Sequence, residues 1–193
     1  MSKTVLILGA SRGIGLGLAR EFLERGWKVV ASERDRSDDL HALEGENLRI
    51  TGIPNFAPEI LRRVRLGDPM RMKQLRGALG DLAEEGVTQV FRPRVGAQWI
   101  VGVVGQLQLD VLISRIQNEY QVAVDLEAAP YETARWLTAD EAPRLKEFEK
   151  NQQANLADDR DGYPVFLARN AWELDYIAKK WPNIRFNETR ERG

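Results

Sequence analysis

Residues Trp99 to Leu126, WIVGVVGQLQLDVLISRIQNEYQVAVDL, read without a break as strand, tight turn, amphipathic helix and returning strand. Trp99 to Val104 is apolar and rich in β-branched residues, and Gly105 punctuates it. From there Leu109, Leu112, Ile113, Ile116 and Tyr120 recur at the spacing of a single helix face. After Tyr120 the period drops to two, with Val122, Val124 and Leu126 on one side and Gln121, Ala123 and Asp125 on the other.

Upstream, Ile60, Val64 and Leu66 alternate against arginines in a strand that begins at about Glu59. Asp68 is suited to cap the next helix and Pro69 to its first position. Met72, Leu75, Leu79 and Leu82 supply its buried stripe, Gly86 stops it, and Val87 to Arg92 is the following strand. The order β-α-β-β-α-β is the split β-α-β, or ferredoxin-like, arrangement, a sheet covered on one face by two helices. From Tyr131 a further piece follows: a strand over Thr133 to Thr138, a helix from about Asp140 carrying Leu145 and Phe148, and a turn or loop over Asp158 to Gly162. A strand from Tyr163 to Ala168, a helix from Ala171 to Lys180 and a last strand from Ile184 to Asn187 complete it. Trp136, Trp172 and Trp181 are expected in core or hinge packing rather than as a stacking platform.

The first fifty residues follow a different plan. KTVLILGA, Lys3 to Ala10, is a buried-type strand that runs into the glycine turn Gly9-Ala10-Ser11-Arg12-Gly13-Ile14-Gly15. The helix that starts there shows Leu16, Ala19, Phe22 and Leu23 on one face and ends at Gly26, before the strand WKVVAS, Trp27 to Ser32. Glycines at this spacing let the backbone approach a pyrophosphate, and the free N–H groups and dipole at the helix start attract it. From Ser37 to Leu48 the chain is polar and reads as a linker or a frayed turn.

Two family resemblances follow from these residues. GQLQLDVLISRIQNEYQV resembles the third domain of the translational GTPases, and more narrowly the C-terminal domain of the bacterial class-II peptide-chain release factors. That likeness extends back to TGIPNFAPEILRRVRL at Thr51 to Leu66 and forward through TARWL at Thr133 to Leu137 to FNETRER near the end. The N-terminal unit resembles the start of the short-chain dehydrogenases and reductases. GENLRIT, Gly45 to Thr51, fits either, which places the crossover of a chimera between Leu43 and Thr51. The expected fold class is therefore α/β (α+β): a ferredoxin-like split β-α-β domain with an additional C-terminal α/β layer, preceded by a partial Rossmann β-α-β unit. The expected division is 1–48 and 49–193, the second with a core over 55–128 and an extension over 129–193.

The dehydrogenase resemblance implies that Gly9, Gly13 and Gly15, with Ile14, line a pyrophosphate, and that Ser11, Arg12 and Arg34 favour the extra phosphate of NADPH. The remaining apparatus of that family is not found in order. Tyr176-Ile-Ala-Lys-Lys180 matches its Y-x-x-x-K spacing, but the position of its serine is Tyr163, so Tyr176 and Lys180 read as ordinary helix residues. The release-factor resemblance implies a ribosome-facing domain that is not an enzyme, meeting rRNA and ribosomal protein. No P-loop is present, and the family's GTPase and barrel domains are not matched. Arg62, Arg63, Arg65, Arg71, Lys73, Arg76, Arg92 and Arg94 crowd into one stretch and are the candidate contact surface.

Composition bounds the rest. A chain of 193 residues with 43% hydrophobic residues and a net charge of -1 gives no global argument for nucleic acid. The absence of cysteine excludes disulfides and thiolate metal sites, and one histidine, His41, makes a histidine-based metal site a poor expectation. No apolar run reaches the ~20 residues of a bilayer span, so a cytoplasmic location without membrane contact is expected. Three readings stand: a non-catalytic translation-termination factor domain carrying a vestigial nucleotide-binding head, an NADPH-binding protein of the short-chain type, or a recombined fusion with no physiological activity.

Overall fold

The computed structural model describes residues 3–33, 37–43, 45–52 and 55–190. They divide into two units, residues 1–56 with 189–193, and residues 57–188. In the first unit, β1 (Thr4–Ile7), α1 (Gly13–Glu24), β2 (Lys28–Glu33), α2 (Asp38–His41) and β3 (Leu48–Gly52) build a parallel sheet in the order β1-β2-β3. Strand alternation sends Val5, Ile7, Val29, Ala31, Leu48 and Ile50 to one face, where they meet Leu16, Ala19, Phe22 and Leu23 of α1 and Leu40 of α2. Leu6, on the other face, is 61% exposed.

The stretch read as a linker instead holds α2 and the start of β3. Ser37 Oγ accepts from the Leu40 N–H at 3.4 Å as the helix cap, and Leu40 is fully buried. One apolar anchor among polar residues is too weak a local signal to announce a helix of one turn. A two-residue strand, β4 (Asn55–Phe56), follows.

The second unit opens with β5 (Ile60–Leu66), α3 (Met72–Glu84), β6 (Gln89–Pro93), β7 (Ile100–Val103), α4 (Gln106–Tyr120) and β8 (Val124–Ala128). Local chemistry sets these bounds. Asp68 Oδ1 accepts from the Met70 N–H at 2.9 Å with Pro69 behind it, and Gln108 Oε1 accepts from the N–H groups of Gly105 and Val104 at 3.0 and 2.8 Å to start α4. The strands are antiparallel in the order β6-β7-β5-β8, the ferredoxin-like order.

The chain then repeats the plan. β9 (Thr133–Ala139), α5 (Ala142–Asn151), β10 (Leu156–Asp158), β11 (Pro164–Ala168), α6 (Ala171–Lys180) and β12 (Ile184–Asn187) run in the order β12-β9-β11-β10, which is the first half's order again. The C-terminal α/β piece is thus a second split β-α-β. It continues the same sheet, because β10 pairs with β6 through Ala157↔Pro93 and Asp158↔Arg92 to give eight strands. Last, β13 (Thr189–Arg190) pairs with β4 and belongs with the first unit.

Register puts Val90, Val101, Leu156 and Phe166 on one face of this sheet, under the helices. On the first half that face packs Leu75, Leu79 and Leu82 of α3 and Leu109, Leu112 and Ile116 of α4; on the second half it packs Phe148 of α5 and Ile177 of α6. The opposite face carries Leu61, Phe91, Ile100, Trp136, Val165 and Leu167, all buried. Among the described residues the four long helices of this unit lie on the first face, so the sheet buries the second against itself. Phe91 and Trp136 sit three strands apart, which would separate flat-sheet positions by ~14 Å. Their ring centroids are 6.5 Å apart. The two halves therefore curl toward one another about the β6–β10 seam. Gly102 lies inside that curl, where an added Cβ would stand 2.6 Å from the Pro58 ring and 3.0 Å from Phe91.

Candidate functional site

The glycine turn is assembled from backbone. Gly9 (φ +76°) and Gly13 (φ +58°) occupy the left-handed region, and a Cβ on Gly15 would stand 2.2 Å from the Gly9 carbonyl oxygen, so helix and strand touch through glycine alone. The Gly9 N–H donates to Ser32 Oγ at 3.1 Å and the Ala10 N–H to the Ser32 carbonyl at 2.8 Å, fixing the turn on the end of β2. Arg12 occupies the cap position of α1 without a side-chain cap bond, and Ile14 is 85% exposed. Ser11 accepts from Ser37 Oγ at 2.6 Å through its carbonyl oxygen. These features suit a pyrophosphate. The ribose end is less simple, because Glu33, at the end of β2, accepts from the Ser37 N–H at 2.9 Å and lies 2.7 Å from His41 Nε2. A carboxylate there favours a free ribose hydroxyl over a 2′-phosphate. Arg34, the residue expected to answer a 2′-phosphate, lies outside the described residues.

The second candidate surface is less continuous than its sequence. Arg63 and Arg65 point to the curled face of β5 and both hold Glu127, at 3.0 Å each. The hydrogen bonds from Arg65 and then Arg63 hold that carboxyl below the usual carboxylate range. Arg62 falls on the helix-covered side and bonds the Leu61 carbonyl at 3.0 Å. Arg71 donates to the Gln121 carbonyl at 2.5 Å. Arg94 bridges Asp158 at 2.7 Å and Glu149 at 3.1 Å across the seam. Burial alone would lower the pKa of that guanidinium; its two carboxylate partners outweigh this and raise it. Most of the eight cations are therefore committed to internal partners.

What the fold does bring together is Arg76 of α3 and Arg92 of β6, joined by a residue that sequence reasoning missed. Arg160, on the β10–β11 turn, shares with them a pocket of about 200 Å³ on the helix side of the seam, with Trp99, Val90 and Asp159 in its wall. The ion pairs here are long: Arg92 to Asp158 at 3.6 Å, and Arg160 to Glu84 at 3.8 Å and Asp161 at 3.5 Å. No sequence signal ties Arg160 to Arg76, since only the pairing of β10 with β6 makes them neighbours.

On the turn expected over Asp158 to Gly162, two carboxylates hold the structure together, and one tryptophan expectation is corrected. Asp158 anchors Arg94, while Asp159 accepts from Trp136 Nε1 at 3.0 Å and from the N–H groups of Asp161 and Tyr163 at 3.0 and 2.9 Å. Trp136 is buried and Trp181 packs edge-on against Phe148, with ring centroids 5.3 Å apart, but Trp172 is 73% exposed and stacks on Tyr176 at 5.4 Å. On the amphipathic helix α6, Trp172 and Tyr176 are one turn apart on the outer face, opposite the buried Ile177. Tyr176 and Lys180 thus lie on the exposed face of that helix.

Among the described residues no group of three or more His, Cys, Asp or Glu is placed to hold a metal ion, and no helix is long and apolar enough to cross a membrane. Residues 50–178, about two thirds of the chain, match the family model described as class II release factor RF3, C-terminal domain. Residues 3–52 match the short chain dehydrogenase model. The two matches overlap at residues 50–52, inside β3.

Proposed function

The chain belongs to the family of the class II release factor RF3, C-terminal domain, fused to a dehydrogenase-like fragment, and from that premise we propose that it is a translation-factor domain that docks on the ribosome without catalysis. The observation that carries this reading is the family match over residues 50–178. The exposed basic side chains Lys73, Arg76, Arg92 and Arg160 support it as the phosphate-facing group, while Arg63 and Arg65 lie on the opposite face of the sheet. Cations that neutralise phosphates release counterions, so association with purified ribosomal subunits should weaken with salt at a log–log slope of about -2 to -3 for three or four contacts. Co-sedimentation across a potassium chloride series measures this. A flat salt dependence, or binding unchanged by Lys73→Glu with Arg76→Glu, defeats the reading.

A second reading concerns the N-terminal unit alone: that it holds a dinucleotide at Gly9, Ser11, Arg12, Gly13, Ile14 and Gly15, with Arg34 at the adenosine end. The close approach of Gly15 to the Gly9 carbonyl favours it. When bound, such a cofactor supplies hydride chemistry; this chain's residues would bind and orient its pyrophosphate. Limited proteolysis with and without NADH or NADPH tests it: protection of residues 3–52 by either supports a working site, and cleavage that ignores both makes the turn a remnant.

A further inference from the structure

We propose that the pocket at the β6–β10 seam binds a single nucleotide, its base against Trp99 and its phosphate held by Arg76, Arg92 and Arg160. The walls come from both halves of the eight-stranded sheet, α3 and β6 on one side and the β10–β11 turn on the other. Its volume of about 200 Å³ falls below the roughly 300–1,000 Å³ of drug-sized ligand sites, which suits one flat ring with its phosphate at the rim and not a dinucleotide. Trp99 and Val90 give an apolar wall, and Gly80 and Gly162 add no side chain to it. An indole beside guanidinium groups is the pairing that takes a base on its π-face and a phosphate by charge.

The lining gathers three guanidinium groups and one carboxylate, Asp159, which already accepts three hydrogen bonds from Trp136, Asp161 and Tyr163; Asp158, Glu84 and Asp161 stand outside the lining and reach Arg92 and Arg160 only at 3.5–3.8 Å. Among the described residues Arg92 and Arg160 are held by ion pairs of 3.5 Å or longer, so a phosphate exchanges for them without breaking a close bond. An acidic peptide would answer the arginines but leave the indole wall without a flat partner.

The nucleotide can be free or a splayed residue of single-stranded RNA. The RNA source rests on the ribosomal reading and the free source does not. Calorimetric titration of the full chain with adenosine 5′-monophosphate, with a single-stranded RNA hexamer and with inorganic phosphate separates these. Saturable binding of monophosphate or hexamer, weakened roughly tenfold or more by Arg160→Glu, supports the site. Hexamer binding without monophosphate binding assigns the RNA source, and the reverse assigns the free one. Phosphate binding as tightly as either, or no binding by either, overturns the proposal. Arg160 and Arg76 are exposed, so Arg76→Glu serves as a second variant with the fold intact. Because ribosomes are absent from this assay, its failure and the failure of subunit co-sedimentation are separate results.

Discussion

The two units of this chain solve the same problem with opposite completeness. Each is built from strand–helix–strand pieces, yet the parallel sheet β1-β2-β3 is covered on one face only, leaving Leu6 61% and Leu8 74% exposed, whereas the eight-stranded sheet buries both of its faces. Parallel sheets are stable with both faces covered, because the β-α-β crossover puts apolar residues on each. An antiparallel sheet needs only one helical layer, and curling about the seam supplies the other cover here. A buried face therefore depends on how the strands continue, not on how apolar each strand is.

The largest expected effect tests that curl. Phe91 is fully buried among Ile100, Trp136 and Leu167 on the helix-free face. Phe91→Ala should destabilise the second unit by about 3–5 kcal/mol in urea unfolding. A loss under ~1 kcal/mol would mean that the helix-free face is open, like the first unit's. Gly102→Ala probes the same face by addition. The new methyl meets the Pro58 ring and Phe91 at 2.6 and 3.0 Å, so a loss of about 1–3 kcal/mol is expected; neutrality would show that the Pro58 segment does not seat there.

Acid sharpens the comparison further. Glu173 accepts from the Arg169 side chain at 2.9 Å and the Arg169 N–H at 2.6 Å, and from Asn155 Nδ2 at 3.2 Å. The hydrogen bond from the Arg169 side chain, against the opposing effect of burial, lowers its pKa from 4.5. The folded carboxyl then holds its proton less tightly than the unfolded one. Its contribution is fully present above pH ~4.5, begins to fall as the unfolded chain takes up the proton, and is lost once pH drops through the lowered folded value. Glu173→Gln should reduce stability at pH 7 by about 1–2 kcal/mol and flatten that decline. An unchanged acid profile would show that Arg169 does not hold Glu173 in solution.

Much of this architecture was legible because its elements are long. The 3.6-residue stripe from Leu109 to Ile116, the Asp68-Pro69 start of α3 and the alternation of β5 each span enough residues to declare their period. The repeat of the split β-α-β was hidden by a single element. β10 has three residues, too few to alternate, and its sequence Leu-Ala-Asp abuts a turn. Without β10 the second half has no edge to offer β6, so Arg160 has no reason to be placed beside Arg76. The availability of the candidate contact residues was not legible for a related reason. Proximity in sequence gathered eight cations, but which of them stay available depends on carboxylates such as Glu127, Asp158 and Glu149, and Glu127 is paired 64 residues from Arg63.

The smallest expected effect bears on the open face. Leu6 is on β1 at the edge of the three-stranded sheet, with its strand neighbour Ile7 buried and paired to Ala31. If solvent meets that face, Leu6→Ser removes no packed contact and should move the stability of the first unit by no more than about 0.5 kcal/mol, read by amide exchange of β2. The same substitution would cost several times more, by an amount that rises with the logarithm of protein concentration, were the face covered by another copy in solution. Leu6→Ser therefore asks of the first unit what Phe91→Ala asks of the second: whether the apolar face of a sheet has something packed on it.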